Sequence, residues 1–187
     1  GNVSSSAILE GIYKCGNSGV KIINISANGT APYSMSNKSV NATMHQYFQW
    51  FHDTKGGLIF VAAGNTPVFD ANAWAPYLIV VSAINNQYTL ANFSTYGNPL
   101  WFTAPGTSIY CSNRDGRVNS VSGTSFSSPL AASVAALVWG ARPSLTNKQV
   151  ESILQSTCYK AGTASWTKWY GYGMPNAEAA VKAALGR

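Results

Sequence analysis

Charge is scarce in this sequence. Asp, Glu, Lys and Arg make up 10% of its 187 residues, against roughly 25% in an average globular chain. Apolar residues make up 46%, so disorder is excluded on composition. No uninterrupted apolar run approaches the ~18 residues of a membrane span, and none is expected. The first six residues are polar and carry no signal-peptide pattern, so a leader was either removed with upstream sequence or never present. No Cys-x-x-Cys pair occurs, and no zinc site is expected. Cys15, Cys111 and Cys158 permit one disulfide and a leftover thiol, or three reduced thiols, and spacing does not choose between these. Nor is there a basic stripe. The net charge is +6, but the twelve Lys and Arg are scattered from Lys14 to Arg187 without forming a run, so no nucleic-acid partner is expected. Six Asn-x-Ser/Thr sequons begin at Asn2, Asn24, Asn28, Asn37, Asn41 and Asn92. They matter only in a host that glycosylates, and chance clustering in an Asn- and Ser-rich chain accounts for them. There is no internal repeat.

What is present reads as one domain spanning residues 1–187, within the usual length of about 150 residues or a little more. A helix is expected over residues 6–15, ending before Gly16-Asn17-Ser18-Gly19. The run Ile22, Ile23, Ile25 predicts a strand over residues 21–26 that is buried on both faces, as parallel strands are. Met44, Tyr47, Phe48 and Phe51 stand at helical spacing in residues 41–54, followed by apolar strand runs at 58–63 and 78–83. Strand, helix, strand units of this kind predict an α/β fold with a parallel sheet, right-handed crossovers and helices on both faces. Shorter strands are expected at 100–103 and 108–111. Residues 128–139 are nearly free of polar side chains, with Pro129 in the first turn; a helix apolar all round is expected to be central. Helices at 146–157 and 176–185 close the chain.

Two segments carry chemistry. Ser125 lies between Gly123 and the start of the apolar helix, beside unsatisfied backbone N–H groups and the positive end of the helix dipole, where developing negative charge is favoured. Ser is also an ordinary N-cap residue, and this segment alone leaves nucleophile and cap equally open. Asn65 follows the strand at 58–63, and ligands bind at the C-terminal strand ends of open parallel sheets. Its amide can donate to an oxyanion, although Gly-Asn by itself is more often a turn.

Taken together, the two segments resemble the subtilisin-like serine proteases. Gly123-Thr124-Ser125-Phe126-Ser127-Ser128-Pro129 is similar to that family's Gly-Thr-Ser-Met-Ala-x-Pro block, and Ala62-Ala63-Gly64-Asn65 is similar to its oxyanion segment. Ile22-Ile23-Asn24-Ile25-Ser26 looks like the strand before its substrate-binding segment. Three further blocks keep the family's order: residues 78–83, Ala104-Pro105-Gly106-Thr107-Ser108-Ile109, and Tyr170-Gly171-Tyr172-Gly173 leading to Asn176-Ala177-Glu178-Ala179-Ala180. The resemblance implies a serine endopeptidase acting on polypeptides through an acyl-enzyme on Ser125, with the oxyanion held by the Asn65 amide and the Ser125 N–H. It also implies substrate-binding residues Ser26, Ala27, Asn28, Gly29, Ala62, Ala63, Gly64 and Thr124, and an extracellular or secretory setting. No cofactor is identifiable in the sequence; calcium in the whole domain is an implication of the resemblance alone.

Several departures qualify it. Ser26-Ala27-Asn28-Gly29 stands where the family has Ser-Leu-Gly-Gly, which puts a side chain beside the substrate path, and Phe126 replaces an oxidisable Met. The loop after Asn65 looks short. Asp70 within it would favour a basic substrate side chain if it faced the pocket, but a solvated loop acid is the ordinary expectation. The family's Asp and His precede the region covered here, so this chain is expected to be the distal part of a catalytic domain. An N-terminal partner segment, as a separate processed chain or an upstream stretch of the same one, would supply both residues. His45 and His52 lie on the helix before the oxyanion strand and are expected at the surface or an interface; a metal pair, or a base formed by His52 with Asp53, is the less favoured reading. A non-catalytic peptide-binding scaffold of the same fold is the rival from another class. An α/β esterase is disfavoured because Ser127 replaces the last glycine of G-x-S-x-G.

Overall fold

The computed structural model describes residues 4–29, 34–160 and 163–187. In chain order it contains α1 (Ser5–Asn17), β1 (Ile22–Ile25), α2 (Ala42–Gln49) running into a π-helical turn (Trp50–Thr54), and β2 (Leu58–Ala62). These are followed by β3 (Phe69–Asp70), β4 (Ile79–Ile84), β5 (Tyr96–Gly97), β6 (Leu100–Pro105), β7 (Ile109–Ser112) and β8 (Val118–Val121). The chain ends with α3 (Thr124–Ala141), α4 (Asn147–Thr157) and α5 (Ala177–Ala184).

A four-stranded parallel sheet, in the order β1-β2-β4-β6, forms the middle layer. Alternate residues of each strand face opposite ways. Leu58, Phe60, Ile79 and Val81 meet Ala131, Ala135 and Val138 of α3 together with Val150 and Leu154 of α4. Ile59, Val61 and Val80 meet Ile12 of α1, Met44 and Phe48 of α2, and Phe51. Every residue of β2 and β4 is buried, which is why their sequences read as near-continuous apolar runs, interrupted only by Ser82 of β4, rather than alternating ones. The chain is α/β, with helices on both faces, as the sequence predicts.

Several elements differ from expectation, each for a local reason. β1 is only partly buried, with Asn24 exposed, because it is the sheet's edge among the described residues. The opposite edge is covered: Tyr172 N donates to Trp101 O (2.7 Å) and Thr103 N donates to Gly173 O (3.0 Å), which accounts for the Tyr-Gly-Tyr-Gly block. α3 begins at Thr124 rather than Ser128, and it is not buried all round. Leu130, Ser133 and Leu137 share one exposed stripe at helical spacing. Pro129 therefore falls in the second turn, where its missing N–H leaves the Ser125 carbonyl without its helical donor. β7 falls where a short strand is expected, but its antiparallel partner β8 and the small β3–β5 pair were not legible in the sequence, since these strands are short and partly polar.

The histidines and Asp70 are buried, contrary to expectation. His45 is 2% exposed because both ring nitrogens are satisfied inside, one by Met35 O (2.8 Å) and the other by Tyr77 Oη (3.1 Å). Burial lowers its pKa, Lys38 adding to the effect against the Met35 hydrogen bond, so it is neutral near pH 7. His52, 4% exposed, sits between Asp53 (2.6 Å) and Glu151 of α4 (3.0 Å). Asp70 is 3% exposed; it accepts from Ser36 Oγ (2.6 Å) and from Asn72 N (2.9 Å) and Nδ2 (2.7 Å). All three cysteines are free thiols. The sequon at Asn2 lies outside the described residues.

Burial by itself lowers the His52 pKa, but the hydrogen bonds and charges of Glu151 and Asp53 outweigh it, and the net shift is upward from 6.5. A group that holds its proton more tightly when folded stabilises fully below its unfolded pKa, and that stabilisation is lost as pH rises through the folded value. His52→Gln is expected to cost about 3 kcal/mol of unfolding free energy at pH 6, because Glu151 is left buried without its cation. Urea melts from pH 6 to pH 9 should show the gap to the native chain narrowing; a constant gap would mean that His52 is uncharged throughout.

Candidate active site

The C-terminal end of β2 and the first turn of α3 meet at one buried side chain. Thr124 is fully buried, and its hydroxyl accepts from Gly64 N (3.2 Å) while donating to Asn65 Oδ1 (2.9 Å). Its backbone N–H donates to the same Asn65 Oδ1 (2.9 Å). A backbone N–H can only donate, so the amide orientation of Asn65 is fixed. Oδ1 points at Thr124, and Nδ2 keeps both N–H groups without an acceptor among the described residues, beside Gly123. Asn65 can take this place because the chain turns sharply at Gly64. That residue has φ 118°, and a Cβ there would lie 2.8 Å from Thr95 Oγ1.

Ser125 is the second residue of α3 and does not cap it. The N-cap is Gly123, with no side-chain bond to the helix. Ser125 Oγ instead donates to Ser26 O (3.0 Å), and Ser26 Oγ donates to Ser125 O (2.8 Å), the carbonyl that Pro129 leaves free. Asn24 Nδ2 supports Ser26 Oγ (2.8 Å), and Asn24 Oδ1 accepts from Ser128 Oγ (2.7 Å). This clasp fixes the end of β1 against the first turns of α3. The Ser125 N–H has no acceptor among the described residues, as expected for a helix's first turn. Two free donors, Ser125 N–H and Asn65 Nδ2, thus flank the start of a helix whose dipole favours negative charge.

The Subtilase family model matches residues 1–173. The chain belongs to the subtilase family. It is similar to M-protease of Shouchella clausii (strain KSM-K16), 32% identical over 97% of this chain and 45% of that protein. It is also similar to Subtilisin Savinase of Lederbergia lenta, 31% identical over 97% of this chain and 64% of that one. This subtilase chain therefore spans about half to two-thirds of the length of those relatives. A solved lanthipeptide protease superposes with a TM-score of 0.84 at 20% identity, covering 96% of this chain and 66% of its own.

Of the candidate residues in this subtilase, the structure brings Ser125, Thr124, Asn65, Gly64 and Ser26 into one hydrogen-bonded cluster. Ala62 and Ala63 are buried, and Ala27 is partly buried and packs against the α1–α2 core. Asn28 spans from residues 26–29 to the carbonyls of Ala62 and Ala63. The histidines are not brought to this cluster. Asn147 Nδ2 donates to both His52 O (2.8 Å) and Gly57 O (3.3 Å), so His52 sits near the N-terminal end of β2, opposite the end that carries Asn65. No group of three or more His, Cys, Asp or Glu that could hold a metal occurs among the described residues. The roles of Asn24, Ser128 and Pro129 in holding Ser26 escape sequence reasoning, because their partners lie about a hundred residues away. Thr124 was legible only as a substrate contact; the Gly-Asn end of a strand opposite a Thr-Ser helix start is the signal for its bracing role.

Thr124→Val keeps the shape but removes the hydroxyl, leaving the buried Gly64 N–H without a partner. Expected is a loss of about 1–3 kcal/mol in unfolding free energy, with faster hydrogen exchange at Gly64. Unchanged exchange at Gly64 would show that the hydroxyl does not hold the strand end.

Proposed function

We propose that this chain is the nucleophile-bearing part of a serine endopeptidase. Ser125 Oγ attacks the scissile carbonyl of a polypeptide, forming an acyl-enzyme that water later hydrolyses. Asn65 Nδ2 and the Ser125 N–H stabilise the oxyanion. The observation that carries this reading is the pinned Asn65 amide: Thr124 takes up its acceptor and leaves its donors free beside α3. Donors held in place beforehand need no reorganisation as charge develops, which makes them effective in the transition state.

Serine is a weak nucleophile without a base to accept its proton. Both histidines are engaged elsewhere, so the base and the acid that orients it come from outside these residues. An upstream segment of the same domain would dock on the edge of β1, which has no outer strand partner among the described residues, and on the exposed Leu130–Leu137 stripe of α3. An extracellular or secretory setting is proposed on family kinship.

The chain alone is expected to hydrolyse no peptide measurably, and adding the upstream segment in trans is expected to restore turnover. In the restored enzyme, Asn65→Ala should lower kcat by about 10²- to 10³-fold with KM little changed, a magnitude taken over from a subtilisin asparagine in that role. Steady-state kinetics on a fluorogenic peptide decides. An unchanged kcat would make Asn65 a turn residue only, and no turnover with the segment bound would favour a peptide-binding scaffold.

A further inference from the structure

Residues 26–29 continue β1 and residues 62–64 continue β2, which pair in parallel with Ile25 beside Val61. Ser26 is hydrogen-bonded to Ser125, and Gly64 to the Thr124 brace, so both segments end beside Ser125. On the protease reading they are the two walls of a slot that the side chain on the acyl side of the scissile bond would enter.

One side chain bridges that slot. Asn28 Nδ2 donates to Ala62 O (2.8 Å) and to Ala63 O (3.0 Å), and Asn28 Oδ1 accepts from Met35 N (2.7 Å). The Met35 N–H can only donate, so the orientation of the amide is fixed, and both of its N–H groups are committed to the opposite wall. The bridge is braced from behind. The Asp70 carboxylate can only accept, so the Ser36 hydroxyl gives its proton to Asp70 (2.6 Å). Ser36 then has no second proton, and the Ser34 hydroxyl must donate to it (2.6 Å). Ser34 Oγ is left as an acceptor, facing Asn28 Nδ2 at 3.5 Å and the Ser36 N–H at 3.3 Å. A one-way chain of donors therefore runs from Ser34 through Ser36 to a buried carboxylate, with Ser34 Oγ packed beside the Asn28 amide.

We propose that Asn28 is a specificity-determining residue that closes the slot to large side chains, so that the residue before the scissile bond is Gly, Ala or Ser. The inference rests on the protease reading above. A bulky side chain could enter only by displacing the amide from two buried carbonyls and from the Met35 N–H, leaving those backbone groups unpaired. Asp70 is taken up by Ser36 and Asn72 behind that amide, so it is not placed as a counter-charge for a basic side chain.

The test uses the protein that carries this chain together with its upstream segment. Binding of fluorescein-labelled Ala-Ala-Pro-Ala and Ala-Ala-Pro-Phe, each with a free C-terminal carboxylate, is followed by anisotropy, and hydrolysis of matching amide substrates is measured alongside. The native protein is expected to bind the Ala-ending peptide at least about tenfold more tightly, and Asn28→Gly to shift the ratio toward Phe by about ten- to hundredfold. Asn28→Ser, too short to reach Ala62, should shift it in the same direction, so misfolding of one variant does not decide the matter. Equal binding of both peptides by the native protein, an unshifted ratio in a folded variant, or no binding by any form would overturn the inference. A shifted ratio without hydrolysis would sink the protease reading while leaving the role of Asn28 standing.

Discussion

The geometry of the site depends on the contact of Thr124 with the end of β2. One buried hydroxyl accepts from Gly64 N and donates to Asn65 Oδ1, so the strand end that carries Asn65 and the helix start that carries Ser125 are held as one body. The two backbone elements are rigid for different reasons: β2 is buried on both faces, and α3 lies on the sheet through alanines that permit close approach. Loosening their junction would displace the Asn65 amide and the Ser125 N–H together, and in the proposed role a misplacement of about 1 Å would be costly.

A second constraint comes from Pro129. A proline in the second turn of a helix is ordinarily a liability, because it strips a carbonyl of its donor. Here the stripped carbonyl belongs to Ser125, and Ser26 Oγ satisfies it while Ser26 O accepts the Ser125 hydroxyl. The proline thus converts a helix defect into the attachment of β1 to the turn that carries Ser125. The same attachment brings residues 26–29 close enough to residues 62–64 for Asn28 to reach across.

Much of this was legible in the sequence. The apolar runs of β2 and β4 and the helical spacing of Met44, Phe48 and Phe51 specify a parallel sheet covered on both sides, because doubly buried strands leave no alternation to misread. The two ends of the site, Gly64-Asn65 and Gly123-Thr124-Ser125, stood out because each places a special residue type at an element terminus. What could not be read were interactions between distant segments. His45 and His52 look like surface residues until Met35, Tyr77 and Glu151 are known to meet them, and Asp70 looks solvated until Ser36 and Asn72 enclose it. Ser125 could have been a helix cap on sequence alone; the structure sends its hydroxyl to Ser26 and leaves the cap to Gly123.

In the proposed enzyme, Ser125 and its two oxyanion donors lie within these residues, whereas the group that activates Ser125 comes from outside them. The most direct measurement is the rate at which a fluorophosphonate modifies Ser125, followed by intact mass and peptide mapping, for the chain alone and after its upstream segment is added. Negligible modification of the chain alone is expected, with an acceleration of about 10³-fold or more on addition and the label on Ser125. Rapid labelling of Ser125 in the isolated chain, or labelling of the complemented protein at another residue, would contradict it.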